Sequence, residues 1–589
     1  MQRTRYLTGG RGPGRLLGLL LALVTMIGVT STAAFAAPAP APAPKGPLPI
    51  RLPGAAASAA DTVAAMQPSW NLGNTFDAIP DVTSWGNDVP TKSLFDALKA
   101  QGYRSVRIPV TWTDHQSATA PYAIDAAWMT SVKKAVDLAL NDGLYVVINV
   151  HHDSWQWIAD MPTHHDGVLA RFKATWTQIA ATFRNHPQKL LFEGNNEPQF
   201  TNTTEAQGIQ YNAELNSAFR SVVRQSGGNN ATRLLFLPTL GCTPSQERMD
   251  PLAAQLKSMN DPNLAATVHY YGYYPFSVNI AGGTRFDATS QQDMTDAFNR
   301  MRSLFVTQGI PTYLGEYGLL GGPDSNHPSR FEQGEALKYY EMLGHSARTA
   351  GVTTALWDAG SWNYFNRTTL QWSDPGLGAA IRSSWTTRSG TASSDRVYLA
   401  KAGAITARTL TLNPNGTTFR GLWQGSTQLV QGRDYTVSGN QLTLTASALT
   451  RLAGNRAYGT NATIQARFSA GVPWNIYVTS YDPPVLANAI GNTTDGLSIP
   501  TQFRGDQLAT LESRYADGST AGNTSWTPYQ EFNVAFSPDY PHNAITLLPA
   551  YLNALNDGAQ VTLTFHFWSG TTVTYRVTKN GGSVTGTVA

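Results

Sequence analysis

Between residues 60 and 385 the chain alternates short apolar runs with longer amphipathic stretches. The apolar runs fall at 69–73, 105–110, 145–151, 190–193, 234–237, 266–270, 312–316 and 354–357. Many are continuous rather than alternating, as a parallel sheet covered on both faces requires, and all eight read as strands. Stretches at 94–101, 132–141, 172–184 and 294–308 repeat apolar residues at helical spacing and supply covering helices. Eight strands with intervening helices predict a (β/α)8 TIM barrel. A doubly wound open sheet competes, but no Gly-rich phosphate loop follows the first strand.

After Trp385 the pattern changes. The polar segment TTRSGTASSD (386–395) reads as a linker, and short Thr/Val/Leu-rich strands follow, broken by turn signals at Asn413-Pro414-Asn415-Gly416, Ser438-Gly439-Asn440 and Asn580-Gly581-Gly582. This spacing predicts two small all-β, immunoglobulin-like sandwich modules. Tyr481-Asp482-Pro483-Pro484 is the expected joint between them, because consecutive prolines interrupt strand pairing.

At the other end, Arg3, Arg5, Arg11 and Arg15 precede an apolar run at 16–29 and then Ala34-Phe35-Ala36, the layout of a cleaved signal peptide over 1–36. The run is short for a membrane span, which needs about 20 residues. An Ala/Pro alternation follows, and 37–59 is expected to be a linker. Losing four Arg and no acid takes the formal charge from +3 to −1, so the mature chain carries no basic nucleic-acid footprint. With 589 residues, 42% hydrophobic and 14% charged, the remainder is an ordered multidomain protein. Cys242 is the single cysteine, so no intramolecular disulfide forms, and it is expected to be buried and inert.

Polar residues stand at the C-terminal ends of the predicted barrel strands, where barrel enzymes place their sites. They are Arg107, His151-His152-Asp153, Asn195-Asn196-Glu197, His269-Tyr270-Tyr271, Glu316 and Trp357-Asp358. Two are carboxylates on strands four and seven, Glu197 and Glu316. Cleaving a glycosidic bond needs one carboxylic acid to protonate the leaving oxygen and one carboxylate to attack or to activate water. Arg107 and Tyr271 are expected to hydrogen-bond Glu316 and keep it ionised, whereas Glu197, lacking such a partner, is expected to stay protonated. A metal site built on His151, His152, His164, His165 or His269 is the rival reading, but these come from different segments without HExxH spacing.

NNEP (195–198), HYY (269–271), GEYG (315–318) and WDAG (357–360) resemble glycoside hydrolase family 5, and WNLGNTFDA (70–78) with HHD (151–153) resembles its subfamily 4 endoglucanases. The resemblance covers 60–385 and implies a retaining endo-β-1,4-glucanase with Glu197 as acid/base and Glu316 as nucleophile. It further implies that Asn196 binds the sugar 2-hydroxyl, that His151 and His269 position substrate or carboxylate, and that Trp357 stacks under the sugar. Arg107, His152 and Tyr271 complete the expected binding set. Asn195 departs from the pattern, which has an apolar residue there. Residues 396–482 resemble the immunoglobulin-like X2 module and 483–589 resemble carbohydrate-binding module family 46.

With 15 Trp and 24 Tyr the chain is rich in rings that suit sugar faces. Trp85, Trp155, Trp157 and Trp362 are candidates for a cleft. In the end module Trp526, in a polar loop, is the candidate ligand, while Trp568 on an alternating strand reads as core. The expected partner is a β-glucan (cellulose, mixed-linkage glucan or xyloglucan), with no metal or other cofactor, no nucleic acid, no membrane after signal cleavage, and a monomeric chain. A β-mannanase on the same barrel and a non-catalytic polysaccharide-binding protein are the competing functions.

Overall fold

The computed structural model describes residues 57–322, 329–360 and 363–589, and the expected signal peptide lies outside them. Residues Ser58–Ala589 form one compact unit. Eight strands pair in chain order, all parallel: β1 (Ser69–Asn71), β2 (Ser105–Ile108), β3 (Tyr145–Asn149), β4 (Leu190–Glu193), β5 (Leu235–Pro238), β6 (Leu264–Tyr270), β7 (Thr312–Tyr317) and β8 (Thr353–Leu356). β8 closes on β1 with Ser69 opposite Ala355. Each predicted run is a strand of this barrel, and the predicted helices are found at Lys92–Ala100, Ala126–Asn141, Met161–Thr182 and Ala288–Leu304.

Side chains alternate between the two faces of a strand, so inward residues recur every second position. Val147, Leu191, Phe236 and Tyr313 form an apolar cluster with Ala59, Val63 and Met66 of the N-terminal segment. Two residues further along β3 and β4 stand Asn149 and Glu193, buried with Asn71, Arg107 and Thr267. A polar layer thus lies beyond an apolar plug, toward the C-terminal ends of the strands. At that end Val268 is opposite Leu314 but His269 is opposite Glu316, which leaves Gly315 as a bulge. A Cβ on Gly315 would stand 2.8 Å from Thr267 Oγ1, so the bulge admits only glycine without displacement.

Two sandwich modules follow the barrel. The first pairs a four-stranded sheet containing Arg408–Asn413 with a five-stranded sheet containing Gly459–Phe468 and Trp474–Tyr481, around Leu442, Leu444, Ile464 and Ile476. The second pairs a four-stranded sheet containing Leu497–Gln502 with a five-stranded sheet containing Leu508–Tyr515 and Gln560–Phe567, around Ile499, Leu511, Phe536 and Leu563. Both cores come from period-two burial, as in Gln560–Phe567, where alternate residues are buried.

The segment 386–395 is packed rather than loose. Arg388 Nε donates to Glu341 Oε1 at 2.6 Å, Asp395 Oδ2 accepts from the Gly334 amide at 2.9 Å, and Thr391–Ala392 joins the first module's sheet. No helix among the described residues is long and apolar enough to cross a membrane.

Candidate active site

Arg107, on β2, is fully buried and organises the polar layer. Its Nε donates to Glu193 Oε2 at 2.7 Å, its Nη1 to Asn71 Oδ1 at 3.0 Å and Glu316 Oε1 at 2.8 Å, and its Nη2 to Asn196 Oδ1 at 2.7 Å. Burial alone would weaken its charge, but the Glu193 and Glu316 carboxylates outweigh that and hold the guanidinium protonated. Glu193 is tied further by Asn149 Nδ2 at 2.9 Å and Thr267 Oγ1 at 3.0 Å. This second buried carboxylate, a counter-charge for Arg107, was not among the expected site residues. Its one signal in the sequence is its place two residues after Leu191 on the inward face of β4.

Glu316 receives both expected donors, Arg107 and the Tyr271 hydroxyl, which stands 2.6 Å from Oε2. Burial and the charges of Glu316 and Glu197 push the Tyr271 phenol well up, so it remains a donor. Glu197 departs from expectation. It does have a partner: His269 Nδ1 lies 2.8 Å from Glu197 Oε1 and 3.6 Å from Glu316 Oε2. Burial would raise the Glu197 carboxyl, but the His269 hydrogen bond and charge, with Arg107 beyond, bring it below its ordinary value. His269 moves oppositely. Burial opposes its charge, but Cys242, Glu316 and Glu197 together push its pKa well up. His269 and Glu197 thus share one proton across one hydrogen bond.

The backbone of Glu197 is unusual, with φ 39°, in the left-handed region that non-glycine residues avoid. Its amide donates to Cys242 Sγ at 3.3 Å, and the Gly241 amide donates to Pro198 O at 2.7 Å. The turn after β5 thereby braces the turn that carries Glu197. Cys242 is fully buried, as expected, but it lies against the carboxylate's own backbone rather than in inert core. No signal in the sequence pointed to this contact.

The other expected residues gather at the same end. Asn196 is buried with its oxygen on Arg107, so its NH2 is the donor side left to the amide. His151 Nδ1 faces Asn149 Nδ2 at 3.1 Å, and because that amide donates, the ring carries its hydrogen on Nε2. Burial and the neighbouring His152, Arg107 and His269 push the His151 pKa well down, so the ring is neutral. Trp357 lies parallel to His151, 5.8 Å between centroids and 3° between planes, and over Gly73, where a Cβ would be 2.8 Å from its Cζ2. His152 sits between Trp85 and Trp155, at 5.4 and 5.7 Å.

Trp155 is 48% exposed, whereas Trp157 is buried, with its Nε1 on Asp153 Oδ1 and Arg171 over its ring, and does not line a cleft. Trp362 lies outside the described residues. Asn195 is buried, and neither atom of its amide has a hydrogen-bond partner among the described residues. Among the described residues, two groups bring histidine nitrogens and carboxylate oxygens within 4.8 Å, namely Asp77 with His151 and His152, and Glu197 with His269 and Glu316. Hydrogen bonds engage several of these atoms, including Asp77 Oδ1 and Oδ2, which accept from the Thr75 and Asn74 amides.

In the end module, Trp526 is 51% exposed. Trp568 is buried, but against the barrel, with the Arg285 guanidinium 4.7 Å above its ring.

A parallel eight-stranded barrel with two facing carboxylates, one in the turn after its fourth strand and one on its seventh, backed by a buried arginine, defines a glycoside hydrolase. Residues 66–363 match the family model for cellulases of glycosyl hydrolase family 5, 391–478 match carbohydrate binding domain X2, and 482–587 match the carbohydrate binding domain of family 46. The chain belongs to glycoside hydrolase family 5. It is 47% identical over 548 residues to endoglucanase B of Paenibacillus lautus, covering 91% of this chain and 96% of that one. The full-length tri-modular endo-β-1,4-glucanase B from Bacillus halodurans superposes with a TM-score of 0.87 at 42% identity, covering 91% of this chain and 100% of that one. A tri-modular subfamily 4 endo-β-1,4-glucanase from Bacillus licheniformis, complexed with cellotetraose, gives 0.76 at 28% identity, with 90% and 99% covered.

Proposed function

We propose that this endo-β-1,4-glucanase is a secreted, retaining enzyme in which Glu316 is the nucleophile and Glu197 the acid/base, acting on cellulose, mixed-linkage β-glucan or xyloglucan. The observation that carries the reading is the spacing of the pair, whose facing oxygens lie within 4.8 Å with His269 bridging them. Retaining glycosidases hold their carboxyls about 5–5.5 Å apart, inverting ones about 6.5–9.5 Å, with room for a water between.

Glu316 Oε attacks the anomeric carbon while the bond to the leaving oxygen breaks, and Glu197 delivers its proton to that oxygen. The glycosyl ester on Glu316 is then cleaved by a water that Glu197 deprotonates, which restores the starting proton count and the anomeric configuration. Arg107 and Tyr271 hold the attacking carboxylate in line. The proton delivered is the one shared with His269, which returns to the pair in the second step. Neutral His151, the Asn196 amide and the Trp357 face line the sugar site and supply donors and a flat apolar surface.

Glu197 is 41% exposed at its side chain and Glu316 5%, the asymmetry expected of an acid that meets polymer and solvent and a nucleophile that meets only C1. The leader pattern at 1–36 supports secretion. The end module packs on loops that follow β6 and β7, and Tyr529, three residues beyond Trp526, stands 3.7 Å from the Cβ site of Gly282. This supports Trp526 as an outer wall of the cleft for a bulky chain.

Incubation with an activated 2-deoxy-2-fluoro cellobioside tests the reading. A covalent sugar is expected on the peptide carrying Glu316, with reducing ends released from β-glucan and not from mannan. A label on another carboxylate overturns the assignment.

A further inference from the structure

The segment between β6 and the helix Ala288–Leu304 begins with Tyr271, which donates to Glu316, and its far part is held by the end module. Asn279 is fully buried in this segment, at φ 54°. Its Nδ2 donates to Arg330 O at 2.7 Å, within the barrel, and to Ala509 O at 2.9 Å, in the end module. Its carbonyl accepts from the Phe532 amide of the end module at 3.2 Å. One side chain and one carbonyl therefore tie this loop to two strand-proximal points on another module, and Arg285 over Trp568 repeats the tie six residues later.

The other end of the path is Ser277, two residues before Asn279 and fully buried. Its hydroxyl donates to Tyr271 O and accepts from the Leu320 amide at 2.8 Å, and its carbonyl accepts from the Gly321 amide at 2.7 Å. The short helix Tyr274–Val278, which carries Ser277 and is followed by Asn279, packs Phe276 against Phe286 and Phe331. Backbone bonds inside the segment, from the Ser277 amide to Tyr273 O at 2.8 Å and from the Ile280 amide to Pro275 O at 2.9 Å, make it a continuous unit between the Asn279 ties and Tyr271.

We propose that Asn279 is a positioning residue that acts through Tyr271, so that the end module is a structural part of the catalytic centre and not only a binding appendage. The contact from Ala509 and Phe532 through Asn279 and Ser277 sets the Tyr271 main chain, and that sets its hydroxyl on Glu316. The proposal rests on Glu316 as nucleophile but not on Trp526 as a wall.

The test uses the full chain and a small aryl cellobioside, which reaches only the barrel site. Asn279→Gly keeps the left-handed backbone and removes the amide ties, and Asn279→Asp keeps the size and turns the donor into an acceptor facing two carbonyls. Both are expected to lower kcat on the aryl cellobioside several-fold with KM little changed. Tyr271→Phe is expected to give the same loss, and Asn279→Gly in the Tyr271→Phe background no further loss, since coupled positions are not additive. Additive losses, or unchanged kcat in both Asn279 variants, overturn the proposal. If Asn279→Gly does not fold, Asn279→Asp and Trp568→Ala carry the same comparison. Loss of the Glu316 label in the trapping experiment, by contrast, removes the catalytic assignment itself.

Discussion

His269 Nδ1 stands 2.8 Å from Glu197 Oε1, and this hydrogen bond replaces the isolated, protonated carboxylic acid that the sequence suggested. In the proposed mechanism the acid limb then belongs to the pair and not to Glu197 alone. Glu197→Ala is expected to lose about 10²–10⁴-fold on polymer, the usual worth of general acid catalysis. On an activated aryl cellobioside, whose leaving group needs little protonation, the loss should be far smaller, and added azide should restore turnover of the glycosyl ester. Glu316→Gln should lose nearly all activity on both substrates, because an amide forms no glycosyl ester. Equal losses for Glu197→Ala on the two substrates, without azide rescue, would sink the acid/base role.

Cys242 braces the same residue from behind, with its sulfur accepting the Glu197 amide. Cys242→Ala removes that acceptor and the contact with His269. Turnover of polymer should fall several-fold, while turnover of the activated aryl cellobioside falls less, because only the proton donor is displaced. A uniform fall on both, tracking a lower melting temperature, would make Cys242 a packing residue only.

Asn195 presents a buried amide with no partner for either atom among the described residues. Leaving a buried polar group unsatisfied costs about 1–3 kcal/mol, and replacing it with an apolar side chain of similar length recovers much of that. Asn195→Leu should therefore raise the melting temperature. A lower melting temperature in calorimetry would mean that the amide has a bonded partner, such as an ordered water.

Trp526 should matter only for long or branched chains. A stacked ring contributes on the order of 1 kcal/mol, so Trp526→Ala should slow xyloglucan or mixed-linkage glucan turnover several-fold and leave the aryl cellobioside alone. If only insoluble substrate suffers, the module is an independent tether. Unchanged kinetics on soluble polymer exclude the shared cleft.

Glu332 gives the pH dependence of module docking. Its carboxylate accepts from Arg285 in the barrel and from the Tyr398 hydroxyl of the first module at 2.9 Å. Burial pushes its pKa up to about 7, opposed by Arg285 and helped by Asp395. The folded protein then holds more protons than the unfolded chain between about pH 4.5 and 7, so this residue's contribution falls as pH rises through that window, by at most about 3 kcal/mol. Glu332→Gln cannot titrate. The stability of the wild type relative to Glu332→Gln should thus decline from pH 4.5 to 7 in calorimetric melts, and a constant difference would refute it.

The barrel was legible because continuous apolar runs and helical periodicity are local properties of the chain. The eight runs became β1–β8, and the polar residues at their C-terminal ends converge because parallel strands deliver every C-terminus to one face. Arg107, Glu316 and Tyr271 came together as expected for the same reason, and the period-two strands of both modules were equally visible. What the sequence by itself could not decide is which side chains pair across that face. Glu193 beneath Arg107, His269 on Glu197 and Cys242 behind the Glu197 amide join residues 45 to 86 positions apart through bulges and left-handed turns. Periodicity carries no information on such pairings. Trp157 falls into the core rather than a cleft because the bond of its Nε1 to Asp153 turns the ring inward. The contact of Asn279 with Ala509 spans 230 residues, and its place was set by how two separately folded cores pack, a choice made by tertiary complementarity and not by any segment alone.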